Sequence, residues 1–248
     1  MVGHLLGMPG GGGQTPEKEV EQGKAMIDTA VSHGVSRLVF TSVERGGEEK
    51  SFSTPTSVPH FRSKYAIEKY LEAAGAATTR TTTTTHPDSG DDGKSKNELS
   101  YTILRPVVFY DNFTNNMQGS ISWKLFNMYL DSIDKPLEFV ATSDIGWFAA
   151  QSLLNPEDPT YANQAIGLAG DKLTMKEMKE GFKRVNGGKE FQQGYWILAK
   201  MVTWFLGDVR GFCLSTFSSR NSLEGLLTRL RCTDWTDEGV QAQCFSGS

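Results

Sequence analysis

The feature that most constrains this chain is a pair of apolar runs with a lysine-bearing helical pattern between them. Val35 to Val43 reads Val-Ser-Arg-Leu-Val-Phe-Thr-Ser-Val, a short buried strand that ends on the hydroxyls of Thr41 and Ser42. A polar loop with Gly46-Gly47, Pro55 and Pro59 follows, and His60 to Ala74 has the spacing of a helix. Leu99 to Phe109 then resumes as a strand, expected to stop at Arg105 because Pro106 has no N–H for a central ladder. Strand, helix and strand in that order require a right-handed crossover and a parallel sheet. In such α/β sheets, ligands bind outside the carboxyl ends of the strands. Thr41, Ser42 and the following helix therefore fall where a site belongs.

On that helix, at about 100° per residue, Lys64, Ile67, Leu71 and Ala74 share one side, while Tyr65 and Lys69 lie on a more polar flank. A lysine on an apolar stripe either points across the sheet edge at a ligand oxygen or snorkels its head to water over a packed stem. Tyr65 and Lys69 form Tyr-x-x-x-Lys, a spacing that lets an ammonium lower a phenol's pKa for protonating a carbonyl. The same spacing also arises when a tyrosine simply packs on a lysine stem. Thr41 and Ser42 can hydrogen-bond a ligand or cap their strand.

Upstream, Thr15-Pro16-Glu17 reads as an N-cap, a first-turn proline and an acidic first turn. Val20, Gly23, Ile27 and Val31 form the stripe of that helix, and Gly34 ends it. Gly10 to Gly13 fits neither dinucleotide nor P-loop spacing and reads as a flexible connection. Residues 73–98, with Thr81 to Thr85 at their centre, are low in complexity and expected to be a disordered insert. Further elements are a helix or helices within Phe113 to Leu130, a strand at Leu137 to Ala141, and a helix capped by Ser143-Asp144 and running to Leu154. A strand at Ala165 to Ala169 follows, then a helix opened by the capping box Thr174-Met-Lys-Glu177 and closed by Gly187-Gly188. Helices are also expected around Trp196 to Leu206 and Leu223 to Leu230. The expected domains are 1–155, a lobe at 156–206 that also draws on 111–141, and a poorly defined tail at 207–248.

A net charge of -4 and a pI near 5.6 argue against a protein that holds nucleic acid by bulk electrostatics. Cys213, Cys232 and Cys244 fit no zinc spacing and read as reduced thiols. No metal site is expected. Tyr195 to Leu206 is too short to span a bilayer, and Met1 to Gly13 lacks the layout of a signal peptide. A cytoplasmic protein is expected, with the nucleus as an alternative location.

Read together, several stretches resemble the NmrA-like family of atypical short-chain dehydrogenases, best known from fungi. They are Glu19 to Lys24, Gly34 to Val43, His60 to Glu68, Tyr101-Thr-Ile-Leu-Arg-Pro-Val107, Asp144 to Ala150, Ile166 to Gly170 and Leu173-Thr174. The resemblance implies an NAD(P)-binding Rossmann domain with a small C-terminal α+β lobe. By that match Lys64 is the family lysine of Phe-x-x-Lys, and Thr41, Ser42, Pro106, Val107 and Phe109 line the nicotinamide end. The family's opening strand, its Gly-rich phosphate turn and the arginine that selects NADP have no counterpart, since Met1 falls near the fourth strand. The expectation is thus a partial doubly wound parallel sheet, its first strands missing, with weak or no binding of NADP or NAD and a tendency to associate.

Three functional classes follow. One is an NAD(P)H-dependent reductase with Lys64, backed by Tyr65 and Lys69, at the carbonyl of a small carbonyl or quinone substrate. Another is a redox-sensing regulator that binds dinucleotide and a transcription-factor partner without turnover. The last is a truncated product with no dinucleotide binding.

Overall fold

The computed structural model describes residues 15–45, 58–83, 98–114, 119–120, 123–124, 134 and 136–190, and the backbone of 232–233 and 243–244. Its elements in chain order are α1 (Pro16–Ser32), β1 (Arg37–Thr41), α2 (Pro59–Thr83), β2 (Ser100–Pro106), β3 (Val108–Phe109), a 3-10 turn (Tyr110–Asn112) and β4 (Leu137–Val140). They continue with α3 (Thr142–Leu154), β5 (Gln164–Leu168), β6 (Asp171–Leu173), α4 (Met175–Val185), β7 (Cys232–Thr233) and β8 (Gln243–Cys244). The main sheet is parallel in the order β1–β2–β5, with Phe40 opposite Ile103 and Leu104 opposite Ile166.

Successive side chains of a strand point to opposite faces, and each face here has its own cover. Phe40, Leu99 and Ile103 pack with Ile27 of α1 and Ile67 and Leu71 of α2. Leu104, Ile166 and Leu168 pack on the other side with Ile145 and Phe148 of α3. Helices on both faces of a parallel sheet make this an α/β doubly wound arrangement, as expected.

The ends of α1 follow the sequence signals. Thr15 Oγ1 accepts from the Lys18 N–H at 3.3 Å, and Pro16 sits in the first turn. At the other end Gly34 takes φ 69°, Val35 N–H donates to Ala30 at 2.9 Å, and Gly34 N–H donates to Val31 at 3.1 Å. That left-handed closure turns the chain directly into β1. Midway along the helix, Gly23 lets α1 approach α2: a Cβ there would lie 2.7 Å from both Cγ1 and Cδ1 of the buried Ile67.

A second sheet carries the lobe. β3 pairs parallel with β4, β4 pairs antiparallel with β6, and Val108, Phe113, Trp123, Leu137, Phe139, Met175 and Met178 form its core. The capping box of α4 is present in full, with Thr174 Oγ1 accepting from Glu177 N–H at 3.1 Å and Glu177 Oε2 accepting from Thr174 N–H at 2.8 Å. Phe113, Trp123, Leu137 and Phe139 within 111–141 belong to this core. β5, within the stretch assigned to the lobe, is the third strand of the main sheet.

Three local expectations are corrected. The low-complexity insert does not begin at residue 73, because α2 continues to Thr83. Ala73, Ala74, Ala76 and Ala77 favour helix, and Gly75 lets that turn lie against Tyr101, where a Cβ would meet the ring at 2.9 Å. Thr78 Oγ1 also accepts from the Leu99 N–H at 3.0 Å. β2 does not stop at Arg105 but includes Pro106, whose carbonyl accepts from the Glu44 N–H at 3.0 Å. The missing N–H costs nothing at a strand's last rung. Finally, α3 is not capped by Ser143-Asp144. Asp111 reaches across to accept from the Thr142 N–H at 3.1 Å and the Thr142 hydroxyl at 2.9 Å. Most of 113–130, the rest of the insert and the helices expected near 196–206 and 223–230 lie outside the described residues. Among the described residues no helix is long and apolar enough to cross a membrane.

The close approach at Gly23 gives a test. In Gly23→Ala, overpacking of about 1–3 kcal/mol outweighs a helix-propensity gain of about 1 kcal/mol. The thermal midpoint should fall by a few degrees. Adding Ile67→Val removes one clashing methyl, so the double variant should lose less than the sum of the singles. Strict additivity would show that the contact is not felt.

Candidate functional site

Thr41 and Ser42 end β1 side by side but differ in availability. Thr41 is exposed, whereas Ser42 is buried. Ser42 N–H extends the ladder to the Leu104 carbonyl at 2.7 Å, and its Oγ accepts from Arg45 Nη1 at 3.3 Å. Of the two hydroxyls, Thr41 is therefore the one presented at the carboxyl edge. Pro106 is buried, Val107 N–H is bonded to the Leu168 carbonyl at 3.1 Å, and Val107 and Phe109 pack partly buried against the α3-side core. These three wall the edge with apolar surface and backbone.

Beneath the edge lies a charged cluster that carries no obvious sequence motif. Glu68, fully buried on α2, accepts from Arg45 Nη1 at 2.9 Å and Nη2 at 2.6 Å, and from Arg105 Nε at 3.2 Å and Nη2 at 2.8 Å. Arg45 also donates to the Val43 carbonyl at 3.1 Å. Burial works to raise the Glu68 carboxyl, but hydrogen bonds from Arg45 and Arg105, with their charges, outweigh it and hold the group below its ordinary value. One signal for this cluster was available: Arg105 interrupts a run buried on both faces, and a charge there needs a partner.

The three candidate acid–base residues are all engaged. Lys64 Nζ lies 2.9 Å from Glu19 Oε1 of α1 and 5.4 Å from the centre of the Phe40 ring. Glu19 Oε2 also accepts from Ser63 Oγ. Lys64 thus sits on the stripe that faces α1, as its helical phase requires, with its head partly open to water. Tyr65 lies under the Arg45 guanidinium, 5.4 Å from its ring centre, and Lys69 Nζ is 5.7 Å from the same ring. Lys69 bonds Glu72 at 2.9 Å. The Tyr65–Lys69 spacing brings the pair together, but through the ring face.

Among the candidate residues Thr41 is exposed and Lys64, Tyr65 and Lys69 are each partly open to water. Residues 1–14, with the Gly10 to Gly13 run, lie outside the described residues. Among the described residues no group of His, Cys, Asp or Glu could hold a metal ion.

The profile of the NmrA-like family matches residues 12–88. Several solved structures are similar to this chain. NmrA, a negative transcriptional regulator, in complex with NADP, is 14% identical, covering 94% of this chain and 65% of that one at TM-score 0.50. A nucleoside-diphosphate-sugar epimerase from Staphylococcus aureus is 15% identical over 86% of this chain and 65% of that one, TM-score 0.47. MoeE5 in complex with UDP-glucose and NAD is 14% identical over 83% and 72%, TM-score 0.43. The chain spans 65% of the length of each of the first two.

The buried cluster yields two expected outcomes. Glu68→Gln removes the charge between two guanidiniums and should cost about 3–5 kcal/mol in urea unfolding. Because the folded-state value of Glu68 is depressed, its contribution is complete above the unfolded value of about 4.3 and is lost as pH falls through the lower, folded one. Stability should therefore rise with pH across this acid range in the parent chain, and less steeply in Glu68→Gln. Equal slopes would remove Glu68 from the acid response.

Proposed function

We propose, from the match of residues 12–88 to the NmrA-like family, that the chain is an NAD(P)(H)-binding protein. Its β1–α2–β2 unit is the nicotinamide end of the site, and it responds to dinucleotide without turning over a substrate. The observation that carries this reading is the state of Lys64. Its ammonium is presented beside the end of β1, but at 2.9 Å from Glu19 it is tied into an ion pair. A lysine so held can bind an oxygen-rich ligand such as a ribose, yet is poorly placed to pass a proton to a carbonyl. Tyr65 supports the same conclusion, because its ring is packed under Arg45. When bound, the dinucleotide would supply hydride chemistry. This chain's residues would contribute orientation, Thr41 and Lys64 toward the ribose and Pro106, Val107 and Phe109 as the apolar wall.

A second reading keeps the reductase. Lys64 is partly exposed, and release from Glu19 would free it to serve as the acid toward a small carbonyl or quinone. In the sensor reading the output is a protein partner of the transcription-factor class, and the working place is the cytoplasm or the nucleus.

Calorimetry with NADPH, NADP, NADH and NAD tests the binding. Saturable binding that weakens at least fivefold in Lys64→Ala is expected, and no binding to any of the four would overturn the proposal. A low-micromolar Kd would correct the expectation of weak affinity. NADPH oxidation with a panel of quinones, aldehydes and enones should stay at background. Turnover that disappears in Lys64→Ala would establish the reductase instead.

A further inference from the structure

We propose that Glu19 is a built-in competitor for the ligand of Lys64, so that binding at this edge exchanges the carboxylate of α1 for an oxygen of the ligand. The inference rests on the reading of the edge as a dinucleotide site. It adds to that reading a residue from a different helix and a mechanical consequence.

Three contacts carry it. Glu19 Oε1 is 2.9 Å from Lys64 Nζ, and Glu19 Oε2 takes the hydroxyl of Ser63, the residue before that lysine. Both oxygens of one carboxylate are thus spent on adjacent residues of α2. The third contact is Phe40, whose ring lies 5.4 Å from Lys64 Nζ and places the ammonium beside the last residues of β1. Lys64 and Glu19 side chains are 22% and 19% exposed, so the pair is at the surface of the edge and within reach of a ligand.

A ligand oxygen at the edge competes with the Glu19 carboxylate for the single positive charge of Lys64. The ion pair is worth little enough, being partly exposed, that a ribose or phosphate oxygen can replace the carboxylate. Glu19 lies in the first turn of α1, one helical turn before Gly23, where α1 lies against Ile67 of α2. Giving up Lys64 therefore removes one of the two ties that Glu19 makes to α2 and leaves the Ser63 bond and the Gly23–Ile67 contact to hold the helices. Ligand occupancy becomes a change in how α1 sits on α2.

The test has one arm without ligand and one with it. In the first, the Lys64 amine is acetylated with limiting acetic anhydride and read by peptide mass spectrometry. Glu19→Gln should speed modification of Lys64 about threefold to fivefold relative to Lys24 in the same chain, the scale of a partly exposed ion pair. Glu19→Asp, which keeps the charge but draws it back, should give an intermediate rate and covers the case in which the glutamine variant does not fold. An unchanged rate in both variants would overturn the proposal. In the second arm, calorimetry with NADPH should show Glu19→Gln binding about threefold to fivefold more tightly than the parent chain. Equal affinity would overturn the competition and leave the dinucleotide reading standing. Failure of both proteins to bind NADPH, with Lys64 still released in the first arm, would overturn both the competition and the dinucleotide reading.

Discussion

One carboxylate holds the centre of this structure together. Glu68 sits on α2, and its two oxygens are shared between Arg45, just past β1, and Arg105, near the end of β2. The three elements of the crossover are thereby pinned at one point directly below the carboxyl edge. Burying such charges is costly unless each finds a partner, and the pairwise geometry offsets that cost. The apolar core beneath would tolerate some sliding of α2 along the sheet, since hydrophobic contact is not directional. A bidentate pair from each side is directional, and so it fixes the register of the helix against the strand ends. Lys64 and Tyr65, one turn earlier on the same helix, inherit their positions from it.

The crossover itself was legible because its signals are short-range. Two apolar runs, a helical stripe and a glycine past a helix end each name one element without reference to the rest. Lys64 could be placed on the stripe of α2 for the same reason. What could not be read was its partner. Glu19 lies four residues before Gly23, on the packing side of α1, yet nothing local says that α1 would lay that side against α2. Ion pairs between elements are tertiary facts.

The misreadings have a similar cause. Ala73 to Ala77 favour helix, but the threonines from Thr78 onward have weak helix propensity, and the low complexity of the whole stretch reads as disorder. Packing against Tyr101 and a bond to the Leu99 backbone supply what propensity lacks. Asp111 capping α3 is again a long-range substitution, in which a carboxylate from a turn does the work that Ser143 and Asp144 were expected to do.

The brevity of the connections between the two sheets has its own consequence. Only Val107 separates β2 from β3, Ala141 alone separates β4 from α3, and Ala169-Gly170 joins β5 to β6. Val140 belongs to the lobe's sheet yet packs in the α3-side core. The lobe is thus sewn to the main sheet by three stitches rather than hung from a hinge. Swinging it outward would mean breaking strand ladders, whereas α1 is held on α2 by side chains and can shift without breaking any.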